Sequence, residues 1–131
     1  MGMYWESIGC FDGALKAKPG DQTALADKGV ALVRLEQYED SIQCFDTVLE
    51  NNPNDLHTIC LKGDALTCMD RYEGAIACYD VALKAEPGRT ATLFSKGDAL
   101  LALGRHEEAK ACYDKAIAMG GDPRSLPVGK P

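Results

Sequence analysis

The sequence has no apolar run near the roughly 18 residues that a membrane-spanning helix needs. Its first residues, 1–6, also lack the basic start and apolar core of a signal peptide. We therefore expect a cytoplasmic protein without a membrane segment.

Basic residues are fewer than acidic ones. The chain has 14 Lys and Arg and 20 Asp and Glu, which gives a formal net charge of −6. Such a chain repels phosphate backbones, which argues against nucleic acid as its main ligand.

Motifs of catalysis are missing too. The sequence contains no G-x-S-x-G, no phosphate-binding loop, no H-E-x-x-H and no paired C-x-x-C. Its two histidines, His57 and His106, have no evident nucleophile beside them. His57, Cys60 and Asp64 share one helical stripe, but the closely spaced cysteine pairs of zinc sites are absent. We expect no enzyme, no cofactor and no metal, and interpret that stripe as a polar surface.

The sequence does have an internal period of 34 residues, which is the signature of a repeat architecture. Five residue types recur at this step in register: proline at 19, 53 and 87; glycine at 29, 63 and 97; cysteine at 10, 44, 78 and 112; Phe or Tyr at 11, 45, 79 and 113; and aspartate at 12, 46, 80 and 114. Hydrophobic residues make up 46% of the chain and charged residues 26%, which is typical of a globular protein with a real core.

Each period contains two stretches with helical spacing of apolar residues. Ile59 and Leu66 lie on one face of the first stretch, and Ile76 and Tyr79 on one face of the second. Pro87 ends the second stretch. One such unit cannot bury both of its apolar faces, so neighbouring units must stack. The sequence therefore predicts an all-α solenoid of antiparallel helix pairs with seven helices.

The apolar pattern also carries a family resemblance. The first stretches have the order large, small, large: Leu25-Gly29-Leu32, Ile59-Gly63-Leu66 and Leu93-Gly97-Leu100. The second stretches have small, aromatic, small: Ala75-Tyr79-Ala82 and Ala109-Tyr113-Ala116. This pattern resembles the tetratricopeptide repeat family, in the form common in archaeal and bacterial proteins. The resemblance implies a right-handed superhelix, which binds partner proteins in a concave groove lined by the first helix of each pair.

The period divides the chain into five parts. We expect a lone second helix in residues 1–20, full repeats in 21–54, 55–88 and 89–119, and a flexible tail in 120–131. The lone helix suggests a native protein that extends further N-terminally. The last repeat departs from the pattern, with Lys110 in place of Ile and Gly121 where a proline is expected.

Groove positions are the ones that flank the packed face of each first helix. The candidate partner-binding residues are Asp27, Val30, His57, Leu61, Asp64, Phe94, Ser95, Asp98 and Leu101. We expect Leu61, Phe94 and Leu101 to be exposed apolar groups that await a partner. The carboxylates favour a protein or peptide with apolar anchors and some positive charge. Some relatives bind acidic C-terminal tails through basic and amide side chains, but the matching positions here have none: Ala26, Val30, Leu61, Ala91 and Ser95.

Two further expectations concern assembly and the cysteines. The main hypothesis is a protein-interaction module, and the alternative is a structural part of a longer solenoid used for spacing or self-assembly. In the lone helix, Tyr4, Ile8, Phe11 and Leu15 form an apolar stripe that should stay partly open, so we expect a homodimer through residues 3–18. The cysteines at the recurring position are too far apart to bridge one another, because a disulfide needs Cα atoms within about 7 Å.

Overall fold

A computed structural model of the chain describes residues 2–18 and 21–122, with side chains from Trp5 onward. Seven helices follow one another: α1 (Gly2–Ala17), α2 (Gln22–Arg34), α3 (Tyr38–Asn51), α4 (Leu56–Cys68), α5 (Tyr72–Ala85), α6 (Thr90–Ala102) and α7 (His106–Ala118). The described residues contain no strand. The predicted all-α solenoid of antiparallel helix pairs is confirmed. The predicted tail falls mostly on residues 123–131, which lie outside the described part.

Each helix packs mainly on its neighbours in the chain. The closest pairs are α2 with α3, α4 with α5, and α6 with α7, while α3–α4 and α5–α6 join one pair to the next. The first helices also touch one another, α2 with α4 and α4 with α6. They thus form one continuous row, and the predicted groove residues lie on these three helices. No helix in the described ranges is long and apolar enough to cross a membrane.

The recurring glycine lets the two helices of a pair approach closely. A Cβ atom on Gly29 would overlap Cε1 of Phe45, and one on Gly63 would lie 2.7 Å from Cε1 of Tyr79. Gly97 has the same relation to Tyr113, at 2.6 Å. These distances are far below van der Waals contact, so an alanine would force the ring or the helix to move. The recurring glycines and the recurring aromatic residues of the sequence therefore contact each other within each helix pair.

The turn inside each pair needs a left-handed backbone. Glu36, Asp70 and Gly104 occupy equivalent positions, with φ of 62°, 60° and 79°. The last repeat uses glycine, for which this region carries no steric penalty. The other two repeats hold ordinary side chains there and store some strain.

Lysines and aspartates at recurring positions join successive repeats. Lys28 Nζ lies 2.7 Å from Asp12 Oδ1, and Lys62 Nζ lies 2.7 Å from Asp46 Oδ1. Lys96 and Asp80 form the third pair at 2.6 Å. Three of the four recurring aspartates thus form ion pairs between successive repeats, with side chains that remain about half exposed.

The end of α7 explains why glycine replaces the expected proline. Gly120 has a φ of 95°, and the N–H of Gly121 donates a hydrogen bond to the carbonyl of Ala116 at 2.8 Å. Proline at position 121 has no N–H to donate. A Cβ atom on Gly121 would also lie 2.8 Å from the ring of Phe94. The chain at Gly121 therefore lies close against Phe94 in the last helix pair.

Candidate functional site: the groove of the first helices

The nine candidate residues all lie on α2, α4 and α6, but the structure places them in different environments. Exposed members are Asp27, His57, Asp64 and Asp98; half-buried members are Val30, Leu61, Ser95 and Leu101; and Phe94 is buried. Exposed and half-buried groove residues can contact a partner directly.

The expected exposure of Phe94 is wrong. Its side chain is only 8% exposed and belongs to the core of the last helix pair. Its ring centroid lies 6.3 Å from that of Tyr113, in a tilted arrangement, and the chain at Gly121 covers it. Leu101 is packed against the same core. Helical periodicity did not reveal this, because the covering segment follows α7 and shows no helical pattern.

An apolar pocket opens between α2 and α4. It has a volume of about 220 Å³ and is lined by Val30, Val33, Arg34, Phe45, Leu61 and Asp64. The fully buried ring of Phe45 belongs to α3, behind the first helices. An apolar cavity of about 150 Å³ takes a benzene molecule, so this pocket has room for one aromatic or branched aliphatic side chain. Arg34 and Asp64 give it one charge of each sign.

Asp64 on α4 and Asp98 on α6 each accept a hydrogen bond from a tyrosine of the second helix in the same pair. The hydroxyl of Tyr79 donates to Asp64 Oδ1 at 2.6 Å, and that of Tyr113 donates to Asp98 Oδ1 at 2.6 Å. Thr67 Oγ1 lies 3.3 Å from the Tyr79 hydroxyl and donates to the carbonyl of Gly63. These aspartates are therefore positioned by the fold, whereas the sequence suggested only that they face the groove.

The environment of Asp64 and Tyr79 raises the pKa of both side chains. Desolvation raises the pKa of the Asp64 carboxyl, although the residue as a whole is exposed, and the hydrogen bond from Tyr79 and the charge of His57 partly offset this. Burial, and then the hydrogen bond to Asp64, raises the pKa of the Tyr79 hydroxyl well above its usual range. The tyrosine therefore stays a neutral donor across the physiological range.

The first repeat replaces this pair by an apolar one. Phe45 stands where the later repeats have Tyr79 and Tyr113, and Val30 stands where they have Asp64 and Asp98. Phenylalanine has no hydroxyl with which to satisfy a carboxylate. At this one position the groove therefore changes from an apolar residue on α2 to a carboxylate on α4 and α6. Sequence analysis did not identify Phe45 as a residue that lines the pocket. The joint replacement of tyrosine by Phe45 and of aspartate by Val30 could have indicated it.

Two other predicted features can be located. The positions that correspond to an acidic-tail clamp lie on the three first helices and bear no basic or amide side chain: Ala26, Val30, Leu61, Ala91 and Ser95. All six cysteines, which lie in the described part, are free thiols. Burial raises the pKa of the thiols of Cys44, Cys78 and Cys112, so these groups stay protonated.

Comparison with solved structures supports the same architecture. A structure described as "Crystal structure of MamA" matches with a TM-score of 0.82 and 19% identity, over 90% of this chain and 69% of that one. "MamA 41-end from Desulfovibrio magneticus RS-1" matches with a TM-score of 0.85 and 23% identity, over 91% of this chain and 67% of that one. At such identities the likeness concerns the fold, and this chain spans about two thirds of either structure.

Comparison at the level of sequence gives the family. No protein in the search of curated proteins matches this chain. The family described as tetratricopeptide repeat matches residues 4–55 and 60–124, which is most of the sequence. The 34-residue period, the helix pairs and the glycine–aromatic contacts agree with that match, and the chain belongs to the tetratricopeptide repeat family.

Proposed function

We propose that this chain is a protein-interaction module that holds a peptide or a segment of a partner protein in the groove of α2, α4 and α6. The observation that carries the proposal is the apolar pocket beside Leu61, which opens onto the row of first helices. Pockets of this kind bind apolar side chains because burial of apolar surface is favourable by roughly 25 cal/mol per Å². A rigid scaffold limits the entropy lost on binding.

The acidic residues of the groove set the character of the partner. Asp27, Asp64 and Asp98 are exposed, and none of them forms an ion pair with a described Lys or Arg. They attract positive charge and repel acidic peptides. The partner is therefore a protein segment with apolar anchors and some positive charge, and no catalytic step is part of this function.

Selection of peptides tests the proposal. A display library of random 12-residue peptides is panned against the protein, and enriched peptides are titrated against the parent and two variants. Leu61→Ser changes the pocket, while Leu103→Ser changes an exposed leucine in the turn between α6 and α7. We expect Leu61→Ser to weaken binding about tenfold or more, and Leu103→Ser to leave it unchanged. Enrichment of no peptide, or equal binding by Leu61→Ser, would show the proposal to be wrong.

A second candidate function is self-assembly, and the first helix is the reason to consider it. The expected open stripe is only partly present: Ile8 is buried against Ala31, Leu32 and Cys44, Phe11 and Leu15 are half-buried, and the side chain of Tyr4 lies outside the described part. Trp5, however, is 56% exposed and lines a cavity of about 410 Å³ between α1, α2 and α3. A homodimer through residues 3–18 would bury this ring.

Trp5→Glu separates the two candidates. Glutamate stands at the equivalent position of the three full repeats, as Glu39, Glu73 and Glu107, so the change suits the helix. Self-assembly through α1 predicts a dimer at high concentration that Trp5→Glu abolishes, as measured by sedimentation velocity. A parent protein that stays monomeric over a hundredfold range of concentration would exclude this candidate. The groove proposal predicts that Trp5→Glu leaves peptide binding unchanged.

A further inference from the structure

The groove contains two neighbouring positions of different chemistry, at equivalent places in successive repeats. At the first, between α2 and α4, Val30, Leu61 and the Phe45 ring form the apolar wall of a pocket that Arg34 and Asp64 also line. One repeat further on, the residues equivalent to Val30, Leu61 and Phe45 are Asp64, Ser95 and Tyr79. Two neighbouring positions of one groove therefore differ in which side chain they favour.

The second position carries negative charge without a cation. Asp64 and Asp98 are both exposed at its edges, and a tyrosine hydroxyl holds Oδ1 of each in place. Neither carboxylate forms an ion pair with a lysine or arginine of the described chain. Two fixed carboxylates on neighbouring helices suit a guanidinium group, which presents several N–H donors in a rigid plane.

The spacing of the helices sets the spacing of the two groups. Packed helices lie about 8–10 Å apart, and an extended segment in the polyproline II conformation advances about 3.1 Å per residue with three residues per turn. Two side chains about three residues apart on such a segment lie on the same side and about 9 Å apart, so they reach neighbouring first helices.

We propose that the groove selects an extended segment in which an apolar side chain and an arginine or lysine are about three residues apart. The apolar side chain fills the pocket of Val30, Phe45 and Leu61, and the cation lies between Asp64 and Asp98. This inference rests on the proposed function, because it assigns the chemistry of the same groove. Charge complementarity supports this inference, because acidic peptides are repelled at the second position and neutral ones bring no cation to its two carboxylates.

The chain itself supplies the variant that tests the inference. Val30→Asp/Phe45→Tyr installs at the first position the pair that the second and third repeats already contain, in the same backbone. The reverse exchange, Asp98→Val/Tyr113→Phe, installs the apolar pair at α6. Circular dichroism verifies that each variant is folded. If one of them fails to fold, the other still gives the result.

The probes are the peptides enriched from the random 12-residue library by the parent protein. We expect them to share an aliphatic or aromatic residue and an Arg or Lys about three positions apart, in either order. Val30→Asp/Phe45→Tyr should bind them about tenfold or more weakly, and changing their basic residue to Glu should weaken binding to the parent similarly.

Asp98→Val/Tyr113→Phe should reduce the effect of that basic residue. Enriched peptides that bind the groove but lack the basic residue, or that bind Val30→Asp/Phe45→Tyr as well as the parent, would overturn this inference and leave the proposed function standing. Failure to enrich any peptide that Leu61→Ser weakens would overturn both.

Discussion

The hydroxyl of Tyr79, on α5, donates a hydrogen bond of 2.6 Å to Oδ1 of Asp64, on α4. The same bond joins Tyr113 to Asp98, and the first repeat replaces both partners at once, with Phe45 and Val30. We therefore expect the tyrosine and the aspartate to act as a pair. Together they link the two helices, and they make the groove acidic where the Phe45–Val30 pair makes it apolar.

A double-mutant cycle measures this unit. Tyr79→Phe removes the donor to Oδ1 of the partly desolvated Asp64 carboxylate, which should lower the free energy of unfolding by about 1–2 kcal/mol. In Tyr79→Phe/Asp64→Val, which copies the Phe45–Val30 pair, most of that loss should be recovered. Urea unfolding of the parent, both single variants and the double variant gives the coupling energy. If the two single effects simply add, the residues do not act as a unit.

The raised pKa of the Tyr79 hydroxyl predicts how stability changes in alkaline solution. Because the folded pKa lies above the unfolded value of about 10, folding favours the protonated form. This contribution is complete below about pH 10 and is lost as the pH rises above it. Parent protein should therefore lose stability between about pH 9 and about pH 11 more steeply than Tyr79→Phe/Asp64→Val. Equal slopes in urea unfolding would contradict this.

The glycine–aromatic contact predicts that the effect of a glycine-to-alanine change on stability depends strongly on which glycine is changed. Gly63→Ala should lower the free energy of unfolding by about 1–3 kcal/mol, since its Cβ would lie 2.7 Å from the Tyr79 ring. Gly13→Ala, inside α1, is the matched control, because nothing lies within 4 Å of its Cβ. That change should stabilise the protein by about 0.5–1 kcal/mol. Thermal unfolding of both variants tests the contrast, and similar effects would refute the close approach.

The ion pairs between repeats should contribute little, and the contribution should depend on salt. Lys62→Gln removes the bond to Asp46 and should cost about 0.2–1 kcal/mol at low ionic strength. The cost should disappear in about 1 M salt. Lys110→Gln is the control, because Lys110 and Asp114 lie on one helix, 3.6 Å apart and well exposed. A loss for Lys62→Gln that persists at high salt would mean that its aliphatic stem, not its charge, stabilises the interface.

The left-handed turn offers a stabilising change. Glu36→Gly should raise the free energy of unfolding by about 0.5–1 kcal/mol, because it removes a backbone strain of roughly 1–2 kcal/mol and adds back the entropy cost of glycine. Asp70→Gly should gain less, since Asp70 Oδ1 accepts a hydrogen bond from the Tyr72 hydroxyl. Differential scanning calorimetry ranks the two. Destabilisation by Glu36→Gly would show that the turn carries no strain.

Much of the architecture could be predicted from the sequence because the repeat makes every structural requirement visible several times. The recurrence of Gly63 and Tyr79 marks the helix contact, and the period gives the number of helices. The candidate site was less predictable. Phe94 was assigned to the groove because helical phase alone cannot show that Gly121 folds over it. The links from Tyr79 to Asp64 and from Lys62 to Asp46 join residues far apart in sequence, and periodicity places such residues on faces without pairing them.

An equilibrium titration decides whether the groove beside Leu61 holds a partner segment. A labelled peptide enriched by the parent protein is titrated against the parent, Leu61→Ser and Leu103→Ser, with fluorescence anisotropy as the readout. We expect Leu61→Ser to bind about tenfold or more weakly and Leu103→Ser to bind as the parent does. Equal affinity for all three proteins would contradict it.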